Sequence, residues 1–265
     1  MRIVRCITGL FALLTLAAAA AEAQPYPAKP IRVIIPFPAG GSADTIARIT
    51  GQKIGENWST QVVVENRTGA GGNIGTVAAA KSPADGYTLL LTPSSIAIAP
   101  NLFANAGYDP VRDFAPIVLI GRLPMLLVVH PSIPATTAQE LIALAKAQPG
   151  RLHYASGGNG VTNHLAGELF KAQTGIDMVH VPYRGNPLAM LDVIGGQVPV
   201  MFDFMLTALP HVRGNKVRAL AVTSLTRSPL FPDLPTLHES GVTDFEASTW
   251  FGLYAPAGTP ADIVA

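Results

Sequence analysis

Three short stretches of this sequence share one chemistry. Gly40-Gly41-Ser42, Gly71-Gly72-Asn73 and Gly157-Gly158-Asn159 each place two glycines and a small polar residue between an apolar run and a helix-forming one. Such a turn presents unpaired N–H groups and the positive end of a helix dipole. It can hold an anion without any charged side chain. In the first turn Ser42 is a good N-cap, and Asp44 falls in the first helical turn. A plain βα turn, with glycine there for geometry, explains any one of them equally well. Three together point to a small anion gathered outside the carboxyl ends of strands in an open α/β sheet.

Groups that make and break bonds are not clustered in the same way. There is no Gly-x-Ser-x-Gly elbow. Ala80-Lys81-Ser82 lacks the glycines of a phosphate-binding loop. Gly69-Ala-Gly71-Gly-Asn-Ile-Gly75 misses the dinucleotide fingerprint because its third glycine comes one residue late. The histidines at 130, 153, 164, 180, 211 and 238 form no close pair with ligand spacing, so neither a metal nor a cofactor is expected. His164, just after Asn163, reads as a first-turn polar residue at least as readily as a base.

The N-terminus reads as a secretory signal. Arg2 and Arg5 precede an apolar stretch over 7–20, and Ala21-Glu22-Ala23 fits the cleavage pattern, which starts the mature chain at Gln24. The one cysteine, Cys6, lies inside that signal, so the mature chain has no disulfide and no thiol chemistry, which fits a bacterial periplasm. Without Arg2, Arg5 and Glu22 the mature chain carries 16 basic and 16 acidic residues, and nothing suggests a nucleic-acid partner.

The elements that must position the turns follow from apolar patterning. Strands are expected over 31–37, 61–66 and 87–91, with helices over 44–57 and ending near 81, which is a parallel β-α-β-α-β series. Two apolar runs, 115–120 and 125–129, flank Gly121-Arg-Leu-Pro124, where the chain is expected to cross to a second lobe. A second α/β series follows: helices over 137–148, 163–174, 187–194 and 206–213, and strands over 152–155, 177–181, 198–204 and 217–222. Beyond Thr223 the prolines at 229, 232 and 235 mark a return segment, a strand covers 250–255, and a helix starts at Ala261. The expected division is a signal over 1–23, a first lobe over 24–120, a second over 121–225, and a return to the first over 226–265.

Ordered motifs carry a family resemblance over the whole mature chain. They are Pro36-Phe-Pro-Ala-Gly-Gly-Ser-Ala-Asp44, Val64-Glu-Asn-Arg-Thr-Gly-Ala-Gly-Gly72, Pro83-Ala-Asp-Gly-Tyr-Thr-Leu89, Tyr108-Asp-Pro110, Val181-Pro-Tyr-Arg-Gly185 and Ala255-Pro-Ala-Gly-Thr-Pro260. The sequence resembles the Bug-type extracytoplasmic solute-binding receptors of tripartite tricarboxylate transporters. The resemblance implies a two-lobe Venus flytrap fold, each lobe a mainly parallel sheet flanked by helices. It implies a non-enzymatic monomer that binds a small carboxylate and delivers it to a membrane permease.

The same resemblance implies site residues. Phe37, Ala39, Gly40, Gly41 and Ser42 would hold the carboxylate, with Asp44 supporting the turn. The second lobe would add Ser156, Gly157, Gly158, Asn159, Thr162 and His164. Asp203 would meet an amino or hydroxyl group of the ligand, and Arg184 stands where many members have Lys. Thr92-Pro-Ser-Ser95 departs from a commoner glycine-containing loop. Members continue for several dozen largely helical residues after the 255–260 motif, so the return segment is expected to be incomplete. A nucleotide-dependent α/β enzyme and a non-functional fragment of a receptor are the alternatives left open at this point. The signal predicts export with cleavage after Ala23. Mass spectrometry of the periplasmic protein checks it, and a retained Met1 refutes it.

Overall fold

The computed structural model describes residues 26–265. The expected signal, its cleavage site and Cys6 lie outside the described residues. The first lobe starts with β1 (Ile31–Ile35), α1 (Ser42–Trp58), β2 (Val62–Asn66), a 3-10 turn (Ala70–Gly72), α2 (Asn73–Ala80), β3 (Thr88–Pro93) and α3 (Ser95–Leu102). β1 lies between β2 and β3, parallel to both, with Val33 opposite Val64 and Leu89. β1 and β3 read as nearly continuous apolar runs because both their faces are covered. Ile31, Val33, Ile35, Leu89 and Leu91 meet Ala43 and Ala47 of α1, while Ile34 and Leu90 meet Ala79 of α2 and Ile96 of α3.

β4 (Phe114–Val129) is a single strand of 16 residues, not two runs separated by a crossing loop. It leads into the second lobe, which holds α4 (Ala138–Ala147), β5 (Leu152–Ser156), α5 (Thr162–Thr174), β6 (Met178–Pro182), α6 (Asn186–Ile194), β7 (Val200–Phe204), α7 (Met205–Arg213) and β8 (Arg218–Val222). β9 (Ser248–Pro256) returns to the first sheet, and α8 (Ala261–Val264) follows it. From Phe114 to Pro124, β4 pairs antiparallel with β9 at the edge of the first sheet. From Met125 to Val129 it pairs with β7 and β8 in the interior of the second.

That switch explains the sequence of β4. Proline cannot donate to a ladder and is tolerated on an edge strand, and Pro116 and Pro124 both lie in the edge half. Register shifts after Pro116 and Leu119 bend the strand from one sheet toward the other. In the interior half Met125, Leu127 and Val129 enter one core and Leu126 and Val128 the other.

Each sheet is mixed. β5 is parallel to β6 and β7, but strands that cross between lobes must run back, so β4 and β9 pair antiparallel. The return to the first lobe also comes later than expected. Leu237, Val242 and Phe245 are buried in the second lobe's core, and the first sheet resumes only at Ser248.

Thr223 ties both crossings together. Its N–H donates to the Met125 carbonyl at 2.9 Å, and its carbonyl accepts from Ala247 N–H at 2.9 Å. Its Oγ1 accepts from Met125 N–H at 2.8 Å and donates to the Ala247 carbonyl. Replacing Thr223 by Val leaves both main-chain groups buried without this partner. The expected loss is about 1–3 kcal/mol of stability, read from urea unfolding.

Candidate functional site

The carboxyl ends of the parallel strands in the two lobes face each other. Between them lies a small cavity of ≈ 40 Å³. Four helices begin on its wall: Ser42 opens α1, Ser95 opens α3, Thr162 opens α5 and Asn186 opens α6. None of these starts has a side-chain cap. By contrast α4, which begins away from the cavity, is capped by Thr137, whose side chain accepts from Glu140 N–H. The rest of the wall is largely apolar, with Phe37, Val161, Phe204 and Phe251, and no wall residue is charged. Ser42 Oγ is buried and has no hydrogen-bond partner. The wall therefore offers dipoles, N–H groups and hydroxyls with no competing carboxylate, which suits an anion.

The first turn is held from behind. Asp44 accepts from Gly40 N–H at 3.0 Å, from Arg48 through both oxygens, and from Asn66 Nδ2 at 3.0 Å. Asn66 Nδ2 also donates to the Phe37 carbonyl at 2.9 Å. Burial alone would raise the Asp44 pKa, but bonds from Arg48, Gly40 and Asn66 outweigh it and lower it overall.

The second-lobe turn is braced by Ser156 and His164. Gly158 N–H donates to Ser156 Oγ at 3.2 Å, and Gly160 N–H donates to His164 Nδ1 at 3.1 Å. Ser156 Oγ lies 2.6 Å from His180 Nε2, and His180 stacks on His164 with ring centroids 3.9 Å apart. Burial pushes both imidazoles down, His180 to about 4.

Asp203, fully buried on β7, lies behind the cavity wall. Its Oδ1 accepts from Asn186 Nδ2 at 2.8 Å and its Oδ2 from Thr207 Oγ1 at 2.7 Å. Burial pushes its pKa up to about 6 in spite of those bonds. Asn186 in turn accepts from Asn163 Nδ2 at 3.1 Å.

A larger groove of ≈ 570 Å³ adjoins the cavity and shares Phe37 and Pro38 with it. Its wall includes the 3-10 turn, Phe103, Gly157 to Asn159 and exposed Arg184, the one charged residue there. The lobes meet where Gly185 faces Pro38. A side chain at Gly185 would overlap the proline ring, and its φ of +114° also favours glycine.

The residues expected from the sequence thus divide into groups. Phe37, Gly41, Ser42 and Thr162 line the cavity. Gly157, Gly158, Asn159 and Arg184 line the groove, and Gly40 and Asp203 line a third depression. Asp44, Ser156 and His164 brace turns, and Ala39 is exposed on the first turn. Ser95, Asn163 and Asn186 were not anticipated as wall residues. Their signal was the one that marked Ser42, a small polar residue at a helix start after a turn.

Two α/β lobes joined by crossing strands, with a cleft between their strand ends, define the architecture of periplasmic solute-binding proteins. The chain is similar in structure to Rpa4515 of R. palustris, solved with adipate, at 37% identity and TM-score 0.89 over 90% of this chain and 80% of that one. It is also similar to MatC from Rhodopseudomonas palustris, solved with bound malate, at 32% identity and TM-score 0.85 over 91% of this chain and 82% of that one. In sequence it is 41% identical to protein BugT of Bordetella pertussis, over 97% of this chain and 80% of that protein. The TctC profile, "Tripartite tricarboxylate transporter family receptor", matches residues 46–265. The chain belongs to this receptor family.

The lowered pKa of Asp44 has a pH signature. A carboxylate with a depressed folded pKa contributes stability that is fully present above its unfolded value, about 3.9, and is lost as pH falls through the folded value. Asp44→Asn is expected to be less stable than wild type at pH 7, with the gap closing below pH 4. Denaturation series at several pH values measure it.

Proposed function

We propose that this receptor captures a small dicarboxylate between its lobes in the periplasm, as an exported monomer, and delivers it to a membrane permease. The first lobe comprises 26–124 with the returning strand β9, and the second is built on 125–247. One observation carries the reading: Ser42 Oγ, buried on the wall of an uncharged cavity where four helices begin, with no partner of its own. A ligand carboxylate would give that hydroxyl an acceptor and would sit against the positive ends of the helices. The solved relatives with adipate and malate support a ligand of this class.

The two compartments suggest how such a ligand lies. The cavity of ≈ 40 Å³ has room for one carboxylate, and the groove of ≈ 570 Å³ takes the rest of the molecule. Its second carboxylate would then come near Arg184. Phe37, Gly41, Ser42 and Thr162 would contact the first carboxylate, and Gly157 to Asn159 would flank the chain.

Binding rather than catalysis is the reading favoured by the one nucleophile-like pair in this region. Ser156 Oγ sits beside His180 Nε2, but Ser156 is fully buried. Burial holds His180 at about 4, too weak a base to activate a hydroxyl at neutral pH.

Titration calorimetry with adipate and hexanoate tests both compartments. Ser42→Ala is expected to weaken both ligands by roughly tenfold or more, since a hydrogen bond to a charged group is worth about 1.5–3 kcal/mol. Arg184→Ala is expected to weaken adipate by less than about tenfold, as for an exposed ion pair, and to leave hexanoate unchanged. Unaltered affinity in Ser42→Ala, or no carboxylate binding by the wild type, refutes the assignment.

A further inference from the structure

We propose that Asp203 is a positioning residue that fixes which way the amides on the cavity wall point, so that the wall presents donors to its ligand. Asp203 does not line the cavity; Asn186 stands between, lining both the cavity and the depression behind it. This rests on the cavity being the carboxylate site.

The argument is one of hydrogen-bond polarity. An ionised carboxylate only accepts. Asn186 must therefore turn its Nδ2 toward Asp203 Oδ1, as it does at 2.8 Å. Its Oδ1 then faces Asn163, which must answer with its own Nδ2, at 3.1 Å. Asn163 Oδ1 is left facing Gly157 N–H, from which it accepts at 3.4 Å. Both ends of the relay are fixed in kind: an acceptor at Asp203 and a donor at the Gly157 main chain. Thr207 occupies the other oxygen of Asp203, so the carboxylate has no freedom to exchange partners.

A primary amide has two N–H groups, and each of these asparagines uses one in the relay. Both residues line the cavity. The polar groups left for a ligand are then N–H donors. If Asn186 were free to turn, it could offer its carbonyl instead, and an anion would meet a repelling oxygen. Gly157 belongs to the same device. A side chain there would occupy the position of Asn186 Oδ1, so glycine at this position admits the relay.

Burial opposes the charge on Asp203 and pushes its pKa up to about 6. A group kept only for stability would be better neutral. This separates the proposed role from a structural one, because removing the charge should not weaken the fold.

The test is a cycle of Asp203→Asn, Asn163→Asp and the double variant, each melted and titrated with adipate and malate. Asp203→Asn is expected to melt at or above the wild-type temperature. It should bind at least tenfold more weakly, about 1.4 kcal/mol, because only the long 3.4 Å bond from Gly157 N–H then sets the orientation of the two amides. Asn163→Asp sets two oxygens against each other across Asn186 and should melt lower than wild type. The double variant should recover that loss, since the bonds from 163 to 186 and from 186 to 203 can then run in reverse while the new carboxylate at position 163 still accepts from Gly157 N–H, yet it should not bind either dicarboxylate. Wild-type affinity in Asp203→Asn, or melting changes that simply add in the double variant, overturns the proposal. If Asp203→Asn alone does not fold, the double variant decides, and its failure to fold also overturns the proposal. If wild type binds neither ligand, the functional reading fails, while the melting cycle still judges the relay.

Discussion

An anion enclosed away from water needs donors around it, and a wall without charged side chains can draw them only from backbone ends and neutral polar groups. Most of this structure follows from that constraint. The helices that begin at Ser42, Ser95, Thr162 and Asn186 must converge on one point, although two belong to each lobe. Parallel strands achieve this because each delivers its following helix to the same end of the sheet. The starts at Gly41, Ser94, Val161 and Gly185 lack side-chain caps, so their N–H groups stay available inward. An uncapped start forgoes a few tenths of a kcal/mol where glycine holds the cap position, as at Gly41 and Gly185, and about 0.5–2 kcal/mol elsewhere, which the burial of the sheets must outweigh.

Two buried carboxylates show how the surroundings of such a wall are tuned. Asp44 is surrounded by donors that include a guanidinium, and its charge is favoured. Asp203 has only the neutral donors of Asn186 and Thr207 among its side-chain partners, and its charge is disfavoured. Asp44 consolidates a turn, whereas Asp203 bears a cost that the fold alone would not require.

Much of the scaffold was legible in the sequence because its strands are covered on both faces and punctuated by glycine turns. The runs at Ile31–Ile35 and Val200–Phe204 and the helix signals after 41 and 161 all correspond to elements. β4 was harder to read. Gly121 and Pro124 look like a break, and only the strand's edge position makes a proline harmless there. α3 was hidden by Pro100 inside a stretch of eight residues. Around the site, the first turn could be read because its residues are contiguous. The link from Gly157 through Asn163 and Asn186 to Asp203 could not, since it joins four positions on different elements by the orientation of amides alone.

The bonding of Thr223 bears on how the lobes can move. Two strands that cross between bodies at separate points would permit rotation about more than one axis, including a twist of one lobe past the other. Here a single residue grips the chain at Met125 and at Ala247 through main-chain and hydroxyl bonds alike. The two crossings behave as one plate fixed to the second lobe. What remains is bending on the first-lobe side, where Pro124 and Ser248 stand opposite each other in β4 and β9. A rotation of one lobe against the other would therefore bend β4 and β9 together at that pair, as in a door whose two pins share one bar.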